Sequence, residues 1–508
     1  LTGEAGLLPI QQWYFEEENE EVSHFNQSIL LSVNKDATPE MLEKAMKQLT
    51  SHHDALRSTY KNSDGKWSQE YGTNLGEFIT EDIKSVSKEE FGNRVKEIGD
   101  KYQAELDIAK GEIIKFVLIQ TPDSEKENRL LLIIHHLAID GVSWRIILED
   151  FELLLTGLSD NKETDLGKKT SSYRQWFNVL EKYGKTKELL SQNKYWGEAV
   201  ESYEPIKVDK KYDGVVRAKD IKSSITKLDE KQTKLLLTEV PGVYHTEIND
   251  LLLCALAMTI SEWNSNEKVV IGMEGHGRES ISESVIENID TSRTVGWFTS
   301  LYPVLLELNS GINIANSIKS VKEQLRRIPD KGLGFGVLKY INREEKYSDK
   351  AYWDIVFNYL GQLDQAVSGS KWFSGAGESA GEFRSSDQII SEKLSVNGMV
   401  RGGELLINWT YSDKYYNDET ITGLSEKFKE NLEALIGHCI KQQKKGSVFT
   451  PSDYGLGNEI GYDELDKFLE EDYRGISRRE SLESMYRLSG LQQGMLFHAL
   501  YDSESGAY

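Results

Sequence analysis

Ile133-Ile-His-His-Leu-Ala-Ile-Asp-Gly-Val-Ser-Trp144 is the stretch on which the reading of this chain turns. The apolar run Leu131 to Ile134 predicts a buried strand that delivers two adjacent histidines to its end. Neighbouring strand residues face opposite ways, so His135 and His136 cannot share one job: one ring faces the protein body and the other looks beyond the strand. Asp140-Gly141 turns the chain and Trp144 to Leu155 has helical spacing, which puts the pair at a strand-to-helix junction, where loops often carry function. A strand-end histidine is also a common hydrogen-bonding residue, and these residues alone leave a structural role open.

The 508 residues exceed the ~250–300 at which single cores stop growing, so two or more lobes are expected. A net charge of −23 argues against nucleic acid or an anionic membrane as partner, since either needs a basic face. Cys254 and Cys439 lie in helix-like apolar stretches and form no spaced framework; this fits a reducing cytoplasm, core packing for both, and no cysteine-based zinc site. The most apolar long segment, Ile248 to Ile260, contains Asn249 and Asp250 and is shorter than the ~20 residues of a bilayer span. No signal peptide precedes the first motif, and Leu1 in place of Met suggests a piece of a longer chain.

Outward from the histidine pair, Asn26 to Val33 reads as a strand, and Thr38-Pro39 caps a helix with Leu42, Ala45, Met46 and Leu49 on one face. A second pair, His52-His53, lies at that helix's end with no apolar strand feeding it. Ile113 to Gln120 is a strand able to lie beside Arg129 to His135, and a Lys/Asp-rich shift at Val208 to Lys219 marks a lobe boundary. In the second half, Lys268 to Met273 is a buried strand with Glu274-Gly-His-Gly-Arg-Glu279 at its exit. Arg293 to Pro303 starts another strand, Tyr352 to Tyr359 a third, and Leu394 to Val400 with Leu405 to Tyr411 a hairpin-like pair. Two titratable strand-end clusters, one per half, suggest a shared site. Ser447 to Tyr462 has turn residues and little periodicity, as in a linker.

A strand-end histidine facing a strand-end glutamate is a general acid/base pair, able to take a proton from one face of a carbon and return it to the other. Two carboxylates or a metal could do the same, but no His/Asp/Glu spacing resembles a metal site and no glycine-rich loop with a following lysine offers phosphate binding. The glycine-flanked nucleophile elbow is absent around Ser143, which disfavours covalent acyl transfer. Within the second cluster, His276 suits a turn or packing role, and Arg278 and Glu279 suit ion pairs.

The HHxxxDG run resembles the signature of the condensation-domain superfamily of nonribosomal peptide synthetases, distant relatives of chloramphenicol acetyltransferase. Its continuation Val142-Ser143-Trp144, the opening Leu8-Pro-Ile-Gln-Gln-Trp-Tyr-Phe15 and the Glu274 cluster look like the epimerization branch. Motifs similar to all seven of that branch's signatures occur in order between residues 8 and 364, and the likeness covers roughly residues 5 to 445.

The resemblance implies an α+β fold: two chloramphenicol acetyltransferase-like lobes in a V-shaped pseudo-dimer, with the active site at the lobe interface. It divides the chain into an N-terminal lobe (1–205), a C-terminal lobe (206–445), a linker (446–483) and the start of a following condensation domain (484–508), in which His498 is not catalytic here. The implied reaction equilibrates L and D configurations at the α-carbon of an aminoacyl or peptidyl thioester on a carrier protein's phosphopantetheine arm. It uses no metal, pyridoxal phosphate or other intrinsic cofactor. His136 and Glu274 would be the acid/base groups, with one base or two left open, and Asn358 and Tyr359 would position or stabilise the enolate. His135, Asp140, Arg57 and Trp144 would support the site, with Arg57 paired to Asp140. An upstream peptidyl carrier protein and a downstream condensation domain are the implied partners of a cytoplasmic monomer. The alternative within the superfamily is an amide-forming condensation domain.

Overall fold

Leu130 to Ile134 are fully buried because their strand feeds two cores at once. Leu130, Leu132 and Ile134 enter one hydrophobic cluster and Leu131 and Ile133 another, the period-two alternation of a strand covered on both faces. At roughly 1.5–3 kcal/mol per buried aliphatic side chain, this run anchors the first half of the chain. The computed structural model describes residues 1–508 apart from 280, 282–288, 310, 312, 350, 351, 363–368, 458, 474, 483 and 502–508. The last of these lie in the stretch expected to begin a further domain.

The fold is α+β, as the sequence indicates, and its strands form two main sheets. In the first half are β1 (Asn26–Asn34), β2 (Glu77–Asp82), β3 (Ile114–Gln120) and β4 (Glu127–His135). In the second are β5 (Ile221–Leu228), β6 (Lys268–Gly275), β7 (Ser300–Glu307), β8 (Ile355–Gln362), β9 (Phe373–Gly375), β10 (Leu394–Arg401) and β11 (Glu404–Ser412). The five-stranded sheet has the order β9-β1-β4-β3-β2, and the six-stranded sheet β7-β6-β8-β10-β11-β5. The first sheet thus takes its edge strand from the second half of the chain: Phe373 pairs with Val33 and Gly375 with Leu31. Trp372 Nε1 donates to Thr156 Oγ1 at 3.0 Å, and the buried Phe373 ring stacks on Phe151.

Local signals in the sequence are realised. Thr38 Oγ1 accepts from the Met41 N–H at the start of helix Pro39–His52, and Asp140 accepts from the Ser143 N–H (2.7 Å) at the start of helix Gly141–Ser159. The strand expected from Arg293 begins only at Ser300. The reason lies in the intervening backbone, whose polar groups are satisfied by a helix start instead of a neighbouring strand: Gly296 exchanges hydrogen bonds with Ser143 Oγ, and the Phe298 N–H donates to Asp140.

By contact density the chain forms two units, and both sheets fall within the first apart from the outermost residues of β5, β6 and β7. The second unit is largely helical, built on Ile248–Asn264 and Ile314–Arg326. There Arg326 pairs with the buried Asp250 (2.7 Å). Part of the stretch expected to be a linker packs in this unit: Thr450 and Pro451 are buried, and Asp453 pairs with the buried Lys322 at 2.7 Å. Cys254 and Cys439 are both buried free thiols. The helix Gly490–Tyr501 leaves Leu491, Phe497 and Leu500 exposed.

Truncating Phe373 to alanine removes a fully packed ring from the borrowed edge strand. Urea unfolding of Phe373→Ala is expected to show a loss of about 3–5 kcal/mol in the transition of the first unit.

Candidate active site

The two histidines separate as strand geometry requires. His135 is fully buried; its Nε2–H donates to the Val22 carbonyl at 2.9 Å and its Nδ1 accepts from the Leu137 N–H at 3.2 Å. Burial pushes this imidazole down to about 3, so it is a neutral structural group. His136 opens the turn after β4, half-buried between the Phe25 ring (5.0 Å, stacked) and Trp297 (4.2 Å). Its Nδ1 is 3.0 Å from the Ile139 carbonyl and its Nε2 is 2.9 Å from the Gln27 amide nitrogen. Burial lowers its pKa to about 4, a fall that backbone hydrogen bonds, the Ile139 carbonyl's among them, and the Asp140 charge partly offset.

Asp140 is held by an arginine other than the one expected. Arg278 Nη1 donates to it at 2.7 Å, and both side chains are only 6% exposed, so the pair is closed to solvent. Arg57 instead binds Asp54 and the carbonyls of Thr50 and Gly72. The reason is the fold of the second cluster. Gly277 takes φ +66°, and a Cβ there would stand 1.7 Å from the Phe298 carbonyl oxygen. This tight turn brings Arg278 over the Phe298 ring (4.0 Å) and within 3.0 Å of Ser143 Oγ and the Thr294 carbonyl. The expectation of ion pairs for Arg278 and Glu279 holds: Glu279 takes His276 at 2.8 Å and Lys331 at 3.4 Å. The exposed His276 is thereby part of the turn.

Glu274 lies near the end of β6. Parallel pairing of β6 with β8 (Ile355 opposite Ile271, Phe357 opposite Met273) brings Asn358 alongside it, and Asn358 Nδ2 donates to Glu274 Oε2 at 2.8 Å. Tyr359, one residue on, faces the other way by strand alternation and lies against Gly398 of β10, its paired residue. Of the two expected enolate-binding residues, the structure therefore joins Asn358 to Glu274. Surrounding protein raises the Glu274 carboxyl to about 7, with the nearby Glu392 charge adding to the effect. The side chain is nonetheless exposed.

A cavity of about 790 Å³ lies along the same six-stranded sheet, and its lining includes neither His136 nor Glu274. One wall is the polar face of the six-stranded sheet, with Ser395 and Asn397 from β10 and Asn408 and Thr410 from β11. Asn358 belongs to the same row, directly opposite Asn397. Arg384 and Glu392 line the cavity too, and they connect the two chemical groups electrostatically. Arg384 acts on His136, Glu392 acts on Glu274, and Glu392 opposes the fall that burial imposes on the Arg384 guanidinium. No sequence motif announced Arg384 or Glu392. The polar row was visible in the alternation of β10 and β11, whose buried Leu394, Val396, Ile407 and Trp409 interleave with Ser395, Asn397, Asn408 and Thr410. Trp144, expected to support the site, contacts a residue that sequence reasoning missed: its Nε1–H donates to Gln27 Oε1 at 2.7 Å. Among the described residues, no group of three His, Cys, Asp or Glu side chains is placed to hold a metal ion.

The condensation-domain family model matches residues 2–454. Bacitracin synthase 3 of Bacillus licheniformis is 35% identical over 512 aligned residues, and bacitracin synthase 1 of the same organism 36% over 512. Both alignments cover 100% of this chain but only 8% and 9% of those much longer proteins. The crystal structure of the epimerization domain from the third module of tyrocidine synthetase B superposes with a TM-score of 0.79 at 33% identity, covering 87% of this chain and 98% of that one.

Arg278→Met leaves a buried carboxylate without its cation and is expected to cost about 3–5 kcal/mol in denaturant unfolding. A double-mutant cycle with Asp140→Asn should return a coupling energy above about 1 kcal/mol.

Proposed function

The chain belongs to the condensation-domain family, and from that premise we propose that it equilibrates the two configurations at the α-carbon of an aminoacyl or peptidyl thioester. The thioester would be presented on the phosphopantetheine arm of a carrier protein within a nonribosomal peptide synthetase. The observation that carries this reading is Glu274: a strand-end carboxyl raised to about 7 that accepts a hydrogen bond from Asn358. The 33% identity to an epimerization domain supports it. So does the chemistry that such a carboxyl can perform, because near neutral pH it exists in both protonation states and can accept or return a proton.

In the proposed step one of the two groups, His136 Nε2 or the Glu274 carboxylate, takes the α-proton. The electrons of the broken C–H bond move into the thioester, leaving an enolate whose oxygen needs a pre-aimed donor. A proton delivered to the opposite face re-forms the C–H bond with inverted configuration, and the enolate electrons return to the carbon. Within the pair, a single proton rests more stably on Glu274 than on His136, since the carboxyl is raised and the imidazole lowered. The resting form is thus suited to abstraction at His136 and delivery from Glu274.

The partners this reading requires are a carrier protein upstream and, in the same polypeptide, a condensation domain that receives the D-configured product; residues 484–508 resemble the start of such a domain. The family model equally describes amide-forming domains, and that second reading requires two loaded carriers.

With a single aminoacylated carrier in deuterated water, the wild-type protein should exchange the α-proton, and Glu274→Gln should lose about 10²–10⁴-fold of that rate. Full exchange by the variant, or dipeptide formation when a second loaded carrier is supplied, would overturn the reading. The rate profile should break near pH 7, where Glu274 titrates. Asn358→Leu removes a donor that favours the ionised carboxylate, so its break should move to higher pH, as read from exchange rates across pH 5–9.

A further inference from the structure

A fixed chain of hydrogen bonds leads into His136 from Trp144. An indole N–H can only donate, so the 2.7 Å contact from Trp144 Nε1 requires the oxygen of the Gln27 amide on that side. The amide's NH₂ group then faces His136 Nε2, 2.9 Å away, as a donor. On the other side of the ring the Ile139 carbonyl, 3.0 Å from Nδ1, can only accept, so Nδ1 carries the hydrogen. Every orientation in the relay is settled by its two ends. Trp144 N–H donates to Gln27 oxygen, Gln27 N–H donates to His136 Nε2, and His136 Nδ1–H donates to Ile139 oxygen.

We propose that Gln27 is a positioning residue that fixes His136 as the Nδ1–H tautomer and occupies its Nε2 lone pair until a substrate displaces the amide. Gln27 is suited to this by register: in the β1–β4 pairing it lies opposite Ile134, two residues before His136, and it is half-buried. The device has an electrostatic consequence. A proton added at Nε2 would set two N–H donors face to face. The amide cannot turn to relieve this without confronting the indole N–H with another donor.

The other charged or titratable groups acting on the ring are Asp140, which favours the imidazolium, and Arg384, which opposes it, while His136 in turn acts on the neutral His135. Phe25 and Trp297 pack on it without supplying charge. Gln27 and Trp144 thus complete an enclosure in which the imidazole stays neutral at rest. The inference deepens the epimerization reading and rests on it only for the identity of the substrate that displaces the amide.

The test is ¹⁵N–¹H NMR of histidine-labelled, substrate-free protein across pH 4–9. Wild type should show His136 neutral and in the Nδ1–H form throughout the upper range. Gln27→Glu offers acceptors to both neighbours, so the His136 titration should rise by about 1–3 pH units, the effect of a carboxylate at hydrogen-bond distance. Trp144→Phe adds no charge but frees the amide to turn its oxygen toward Nε2, and should raise the titration by a smaller step. An Nε2–H tautomer in the wild type, or an unmoved titration in folded Gln27→Glu or Trp144→Phe, would overturn the proposal. Because no substrate is present, this result stands apart from the exchange assay that tests the epimerization reading.

Discussion

A closed ion pair between Asp140 and Arg278 is the constraint on which the site depends. A carboxylate removed from solvent is tolerated only when its charge and its hydrogen-bonding capacity are met, and Asp140 meets both with Arg278 and the N–H groups of Ser143 and Phe298. These partners come from three places: a helix start, the loop leaving β6, and the segment ahead of β7. Satisfying one side chain therefore fixes three backbone segments. The chemical groups stand at matching distances from this tie, His136 four residues before Asp140 and Glu274 four residues before Arg278. A shift of either loop would unpair a buried charge, so the position of each group is enforced by the cost of moving the other.

Around that tie the environment drives two acid/base groups in opposite directions. Enclosure lowers an imidazole, which is charged when protonated, and raises a carboxyl, which is charged when it is not; His136 falls to about 4 and Glu274 climbs to about 7. The same physical cause gives the pair unlike proton affinities. Arg384 and Glu392 extend the pattern, one acting on each group, and both line the cavity beside the polar row of the six-stranded sheet.

Much of this was legible in the sequence because the signals are local. An apolar run ending in adjacent histidines fixes a strand and the divergence of its two rings; an aspartate before a helical pattern fixes a cap. The α+β class, the strand pair β3–β4, the hairpin β10–β11 and the catalytic candidates' places at strand ends followed from such patterns. What stayed hidden depends on contacts between distant segments. Arg57 and Arg278 are chemically alike, and only the left-handed turn at Gly277 delivers one of them to Asp140. Gln27 sits in a polar triplet at the start of β1 with nothing in its neighbours to reveal that it joins Trp144 to His136. Arg384 and Glu392 belong to the irregular segment after β9, where no periodicity guides a reader.

The borrowed strand β9 makes the two halves of the sequence inseparable in a practical sense. A polypeptide cut after residue 205 would leave β1 with a bare row of N–H and C=O groups where Phe373 to Gly375 ought to lie, the kind of open border on which sheets of different molecules join. Engineers who recombine such catalytic pieces should accordingly keep the stretch around Trp372 and Phe373 matched to the β1 it covers, since a chimera that respects each half's own core could still fail at this shared seam.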